Sequence, residues 1–99
     1  MKYKVILGES ARGHIIEIYK YIRDELKNPM SAEKITDDIY NKIESLRLFP
    51  KATPPHETPA GNKVYFAHIH NFTIVYDISN ETVRISAVLY SRRNIAELI

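Results

Sequence analysis

The chain predicts an α+β domain of order β-α-α-β-β-β, an antiparallel sheet with a helical hairpin packed on one face. Three observations carry that expectation. Two successive segments repeat apolar residues at three- and four-residue steps, a proline-rich stretch interrupts the pattern, and the last third of the chain alternates apolar with polar residues. At 99 residues the chain fits a single domain, 1–99, with room for one modest core.

YKVIL, residues 3–7, has the β-branched and aromatic content of a short buried strand. Ser10 then stands as an N-cap before ARGHIIEIYKYIRDEL, where Ala11, Ile15, Ile18, Tyr19, Ile22 and Leu26 form one apolar stripe along a helix of about four turns. Asn28-Pro29 breaks the helix and Ser31 offers a second N-cap. Ala32, Ile35, Ile39, Ile43 and Leu46 repeat the stripe until Phe49-Pro50 ends it, which gives a helical hairpin. Residues 50–62, PKATPPHETPAGN, hold four of the five prolines and predict a long connecting loop.

Three strands follow. A turn at His70-Asn71 pairs Ile69 with Phe72, Ala67 with Ile74 and Tyr65 with Tyr76, all on one face. A turn at Asn80-Glu81 pairs Ile78 with Val83, Tyr76 with Ile85, Ile74 with Ala87 and Phe72 with Leu89, extending the same apolar face. The two turns agree in parity, so this face is the expected core.

Composition narrows the function. With 44% hydrophobic and 26% charged residues, the chain is an ordinary globular sequence without repeats or low-complexity tracts. The lack of cysteine excludes disulfides, thiol nucleophiles and cysteine zinc sites, and fits a cytoplasmic location. No apolar run is long enough to span a bilayer or to form a signal-peptide core, so no membrane association is expected. A net charge of +2 does not announce nucleic acid, although YSRRN, residues 90–94, is a local basic cluster.

The same parity puts Val64, Phe66, His68, Thr73, Val75, Asp77, Arg84, Ser86, Val88 and Tyr90 on the second face, with Arg92 continuing the alternation. Asp77 falls opposite Arg84, the pattern of a cross-strand ion pair. His68 lies near the end where Tyr90 and Arg92 emerge. These three residues have the chemistry of a proton shuttle, a stacking platform and a phosphate clamp, and Glu57 in the proline-rich loop is a candidate base. Against this, a lone histidine carries little catalysis without an orienting partner, and His68 and His70 also read as hairpin residues. His-x-His lacks a third ligand nearby, so neither a metal nor a cofactor is expected. His14, in the first helix, reads as a surface residue.

IIEIYKYIRDEL, SAEKITDDIYNKIESLRLFP, NFTIVYDI and VRISAVLYSRRN, in this order over nearly the whole chain, resemble the RelE/ParE superfamily of bacterial type II toxin-antitoxin modules. The resemblance implies a toxin with a cognate antitoxin as partner, in modules associated with plasmid stabilization. Its RelE-like branch consists of ribosome-dependent mRNA endonucleases (mRNA interferases), whereas its ParE-like branch inhibits DNA gyrase. The strand arginine that the RelE-like branch implies is Thr73 here, the lysines of the preceding strand fall at Val64 and Phe66, and the late tyrosine falls on Leu98. Arg92 retains the arginine at the end of the last strand. YSRRN resembles the histidine-x-arginine-arginine-aspartate ending of the ParE-like branch, with Tyr90 and Asn94 in place of its first and last residues.

The resemblance is therefore closer to the ParE-like branch. It implies a toxin that acts by binding its target through Arg92 and Arg93 and not by its own catalysis. The endonuclease alternative would use His68, Tyr90, Arg92 and Glu57, and a third reading is a non-toxic homologue that binds antitoxin. A homodimer and a toxin-antitoxin hetero-oligomer both stay open.

Overall fold

The computed structural model describes residues 2–91. Strand β1 (Lys4–Leu7) leads into helix α1 (Glu9–Lys20), a π-helical turn (Tyr21–Glu25) and helix α2 (Pro29–Ser45). Strands β2 (His56–Glu57), β3 (Lys63–Ile69), β4 (Phe72–Ser79) and β5 (Thr82–Tyr90) follow. Among the described residues the strands form one sheet in the order β1-β5-β4-β3-β2. The meander is antiparallel, as its alternation predicts. β1 adds to it in parallel beside β5, so the complete sheet is mixed. Parallel neighbours need a long connection, which the helices and the meander together supply.

Gly8 fixes the entry into α1. Its N–H donates to the Ile85 carbonyl at 2.9 Å, and a Cβ at this position would stand 2.8 Å from that oxygen. The close approach makes Gly8, rather than Ser10, the cap residue, and the helix starts without a side-chain cap bond. At the far end the helix widens into the π turn, closed by Leu26 N–H to the Tyr21 carbonyl at 3.2 Å. The wider turn keeps Ile22 in the core at 4% exposure but turns Leu26 out of the predicted stripe, to 57%. α2 is capped by Asn28, whose Oδ1 accepts from the Ser31 N–H at 3.1 Å, with Pro29 in the first turn. Ser31 is thus the receiver of the cap and not the cap.

The helical hairpin lays Ala11, Ile15, Ile18, Ile22, Ala32, Ile39, Ile43 and Leu46 against Tyr65, Ala67, Phe72, Ile74, Tyr76, Val83, Ile85 and Val88. Burying a set of such side chains stabilises the domain by roughly 1.5–3 kcal/mol for each large one. Tyr76 anchors the loop that follows α2: its hydroxyl donates to the Pro50 carbonyl at 2.7 Å, and burial pushes its phenol above the usual range. Among the described residues no helix is long and apolar enough to cross a membrane.

The register of β3 on β4 follows the predicted turn, with Ile69 opposite Phe72 and Tyr65 opposite Tyr76. β5 follows prediction only from Thr82 to Ile85. Between Val75 and Tyr76 the ladder slips, so that Tyr76 faces Ile85 while Val75 faces Ala87. Ser86 is the extra residue of a β-bulge, and its Oγ donates to the Val75 carbonyl at 3.1 Å. Ile74 therefore pairs with Val88 and Phe72 with Tyr90, in place of the predicted Ala87 and Leu89. A one-residue slip exchanges faces. Val88 enters the core, Tyr90 joins the helix side, and Leu89 moves to the second face beside Thr73.

The β4–β5 turn places Asn80 at φ 50° and Glu81 at φ 59°. Two left-handed residues are what a two-residue hairpin of primed type requires, and glycine is preferred at the second. Glu81 bears the steric cost of that conformation while its carbonyl receives the Lys4 N–H at 3.0 Å. Glu81→Gly is expected to raise stability by about 0.5–1 kcal/mol, read as a higher urea midpoint with an unchanged slope. A lower midpoint would show that the side chain, and not the backbone, sets this turn.

Candidate functional site

The second face is less open than its alternation suggests. Val75, in the middle of β4, is 2% exposed, and Thr73 is 0% exposed. Thr73 instead forms the centre of a polar chain: its Oγ1 lies 3.0 Å from Nδ1 of His68 on β3 and 2.9 Å from Oγ of Ser91 at the end of β5. The backbone N–H of Ser91 donates to the Asn71 carbonyl at 2.8 Å, which fixes the end of that chain. His68 thus has an orienting partner in Thr73, the residue that the hairpin register places opposite it. With Nδ1 held, Nε2 of this exposed ring is left for an external group.

His68 opens onto a recess of about 420 Å³ lined in part by Lys42, Phe49, Thr53 and Phe66. Thr53 Oγ1 donates to the Phe66 carbonyl at 3.2 Å. His56, on the neighbouring short strand, lies over the Phe66 ring with centroids 4.6 Å apart. The proline-rich loop is therefore tied along the outer edge of β3. Lys42, on α2, is the cation of this recess, and sequence reading missed it because it comes from the hairpin rather than the sheet.

The other named residues are distributed differently. Glu57 pairs with Lys63, and His68 lies five steps of extended strand beyond that position, a distance of roughly 16 Å. Tyr90 lies on the helix side, with its ring centroid 4.9 Å from that of Phe72. The expected meeting of His68 and Tyr90 on one face does not occur, because the bulge inverts the alternation between them. Arg92 and Arg93 lie outside the described residues. Asp77 and Arg84 are opposite in register as expected, yet they are not among the ion pairs of the described residues.

The two neighbouring histidines serve different faces. His70 sits in the hairpin turn at φ 52°, and its Nε2 is 2.7 Å from Oδ2 of Asp38 on α2. Lys34 reaches the same oxygen at 3.2 Å. His70, then Lys34, hold the Asp38 carboxyl below the usual carboxylate range. His14 is half-buried rather than a surface residue, and its Nδ1 accepts the Val88 N–H at 3.2 Å. Its position was legible: residue 14 is three after Ala11 and four before Ile18, at the margin of the apolar stripe.

The fold, a hairpin of helices on a mixed five-stranded sheet, is shared with solved toxin-antitoxin structures. A toxin-antitoxin structure, the chromosomal ParDE system from P. aeruginosa, superimposes with a TM-score of 0.73 at 15% identity, covering 90% of this chain and 96% of that one. The toxin-antitoxin complex RelBE2 from Mycobacterium tuberculosis gives 0.61 at 17% identity, covering 91% and 99%. Among curated proteins no sequence match is found. The family model described as the ParE toxin of the type II toxin-antitoxin system parDE matches residues 5–95, and the chain belongs to that family.

The Asp38 cluster yields a pH expectation. A carboxyl held below its unfolded value stabilises the fold above the unfolded pKa, and that contribution is lost as pH falls through the folded value. Asp38→Asn is expected to lower the thermal midpoint slightly at neutral pH and to flatten its fall on the acid side. A parallel displacement of the whole pH curve would show that the loss is one of packing alone.

Proposed function

We propose that this ParE-family toxin acts by binding and inhibiting a cellular target such as DNA gyrase, and that a cognate antitoxin neutralises it. The observation that carries this reading is the dispersal of the residues an endonuclease would use. His68 faces one side of the sheet, Tyr90 the other, and Glu57, on β2, stands beside the far end of β3. Thr73, where the RelE-like branch implies an arginine, is enclosed and bonded within the sheet. A phosphoryl transition state depends on preorganised donors, and losing one commonly costs about 3–4 kcal/mol.

The endonuclease alternative rests on one specific observation. Thr73 orients His68 toward a recess that holds Lys42 and two aromatic rings, a combination suited to proton transfer and base stacking. Growth assays at matched soluble expression separate the two readings. Arg92→Ala is expected to abolish toxicity in a binding toxin whose basic end engages the target, with the melting temperature unchanged. His68→Ala is expected to leave most toxicity intact. Loss of toxicity in His68→Ala, accompanied by disappearance of transcript cleavage in translating ribosomes, would establish the endonuclease instead. A parent chain without toxicity that still binds antitoxin would support the non-toxic module.

Exposed apolar residues on and after the helical hairpin, Ile16 at 46%, Leu26 at 57%, Met30 at 82% and Phe49 at 67%, support an antitoxin partner that docks there. The antitoxin's carboxy-terminal segment is expected to be disordered when free and to fold on the toxin. Mixing the two proteins should increase helicity beyond the sum of the parts. A purely additive spectrum with tight binding would point to a preformed antitoxin surface.

A further inference from the structure

We infer that His14 is a pH-sensitive latch joining α1 to the end of β5. β1 pairs with β5 only as far as Leu7 opposite Ile85, so among the described residues the part of β5 beyond Ile85 has no strand on that side. The bulge at Ser86 then changes which residues point their N–H groups away from β4. Val88 is one of them, and its N–H goes to Nδ1 of His14 at 3.2 Å. A side chain from a helix thus completes the edge of a strand.

This bond constrains the protonation of the ring. A backbone N–H is only ever a donor, so Nδ1 must carry a lone pair and the proton of the neutral ring must sit on Nε2. A proton arriving at Nδ1 sets donor against donor, and the ring must leave. On the other side of the same strand end, His68 meets the hydroxyl of Thr73, which meets the hydroxyl of Ser91. Hydroxyls can rotate from donor to acceptor, so that contact survives protonation of His68. Acid therefore releases the helix side of the strand end and leaves the sheet side in place.

The groove beside the latch, about 460 Å³, is lined by Glu17 and Ile18 of α1, Tyr21 of the π turn, and Val88, Leu89 and Tyr90 of β5. The titratable groups that share this groove with the ring are Glu17 from α1, Tyr21 from the π turn and Tyr90 from β5. Release widens this groove and frees the helix-side edge of β5 next to Tyr90.

Amide exchange on the intact chain tests the latch, with rates corrected for intrinsic pH dependence. Between about pH 8 and about pH 5, the protection of the Val88 amide is expected to fall about tenfold. The Ser91 amide, bonded to the Asn71 carbonyl, should keep its protection. In His14→Gln, whose amide oxygen accepts without titrating, Val88 should stay equally protected at both pH values. Nitrogen shifts of the His14 ring at the higher pH should report the Nε2–H tautomer. An Nδ1–H tautomer, or Val88 protection that is constant in the parent, would overturn the proposal. Equal losses at Val88 and Ser91 would also overturn it, since they would report opening of the whole strand end; these readouts need only the parent chain.

Discussion

One extra residue in β5 governs how the domain is put together. Ser86 shifts the ladder between Val75 and Tyr76, and every position after it changes face. Before the bulge, β5 is locked between two neighbours: Ile85 pairs with Tyr76 on one side, and its carbonyl takes the Gly8 N–H on the other. After the bulge the strand turns Val88 into the core and its N–H toward α1. The helix, the parallel strand and the meander therefore meet at one short stretch of chain. A bulge serves this purpose because it bends and twists the strand without abandoning its pairing.

The consequence for function is a separation of chemistry by face. The end of β5 sends Tyr90 to the helix side, where it packs on Phe72, and Ser91 to the chain that orients His68. Each side of the sheet has its own histidine acting on this strand end, and His70 ties the adjoining hairpin turn to α2. The three histidines are structural in the sense that each completes a hydrogen bond between elements.

The loop between α2 and β3 follows the same logic. Its prolines exclude helix and central strand, yet the loop is tied down by Tyr76 to Pro50, by Thr53 to the Phe66 carbonyl and by two residues of edge pairing. Phe66 and His56 cover one another at that edge. This protects part of an otherwise free strand, which is the liability of any open sheet. The recess beside His68 forms where that protection stops.

The order of elements, the two apolar stripes, both hairpin turns and the pairing of β3 with β4 were all determined by sequence, because each rests on a periodicity or a turn residue a few positions away. The same local information placed Asp77 opposite Arg84. What only tertiary structure decided lies where two distant segments compete for one backbone group. Gly8 caps α1 because Ile85 lies against it, the π turn keeps Ile22 inside at the expense of Leu26, and Thr73 finds Ser91 across a strand. The bulge is the largest such decision. Alternation counts residues and assumes that each advances the ladder by one; Ser86 does not, because burying Val88 and satisfying its N–H through His14 is possible only in the folded chain.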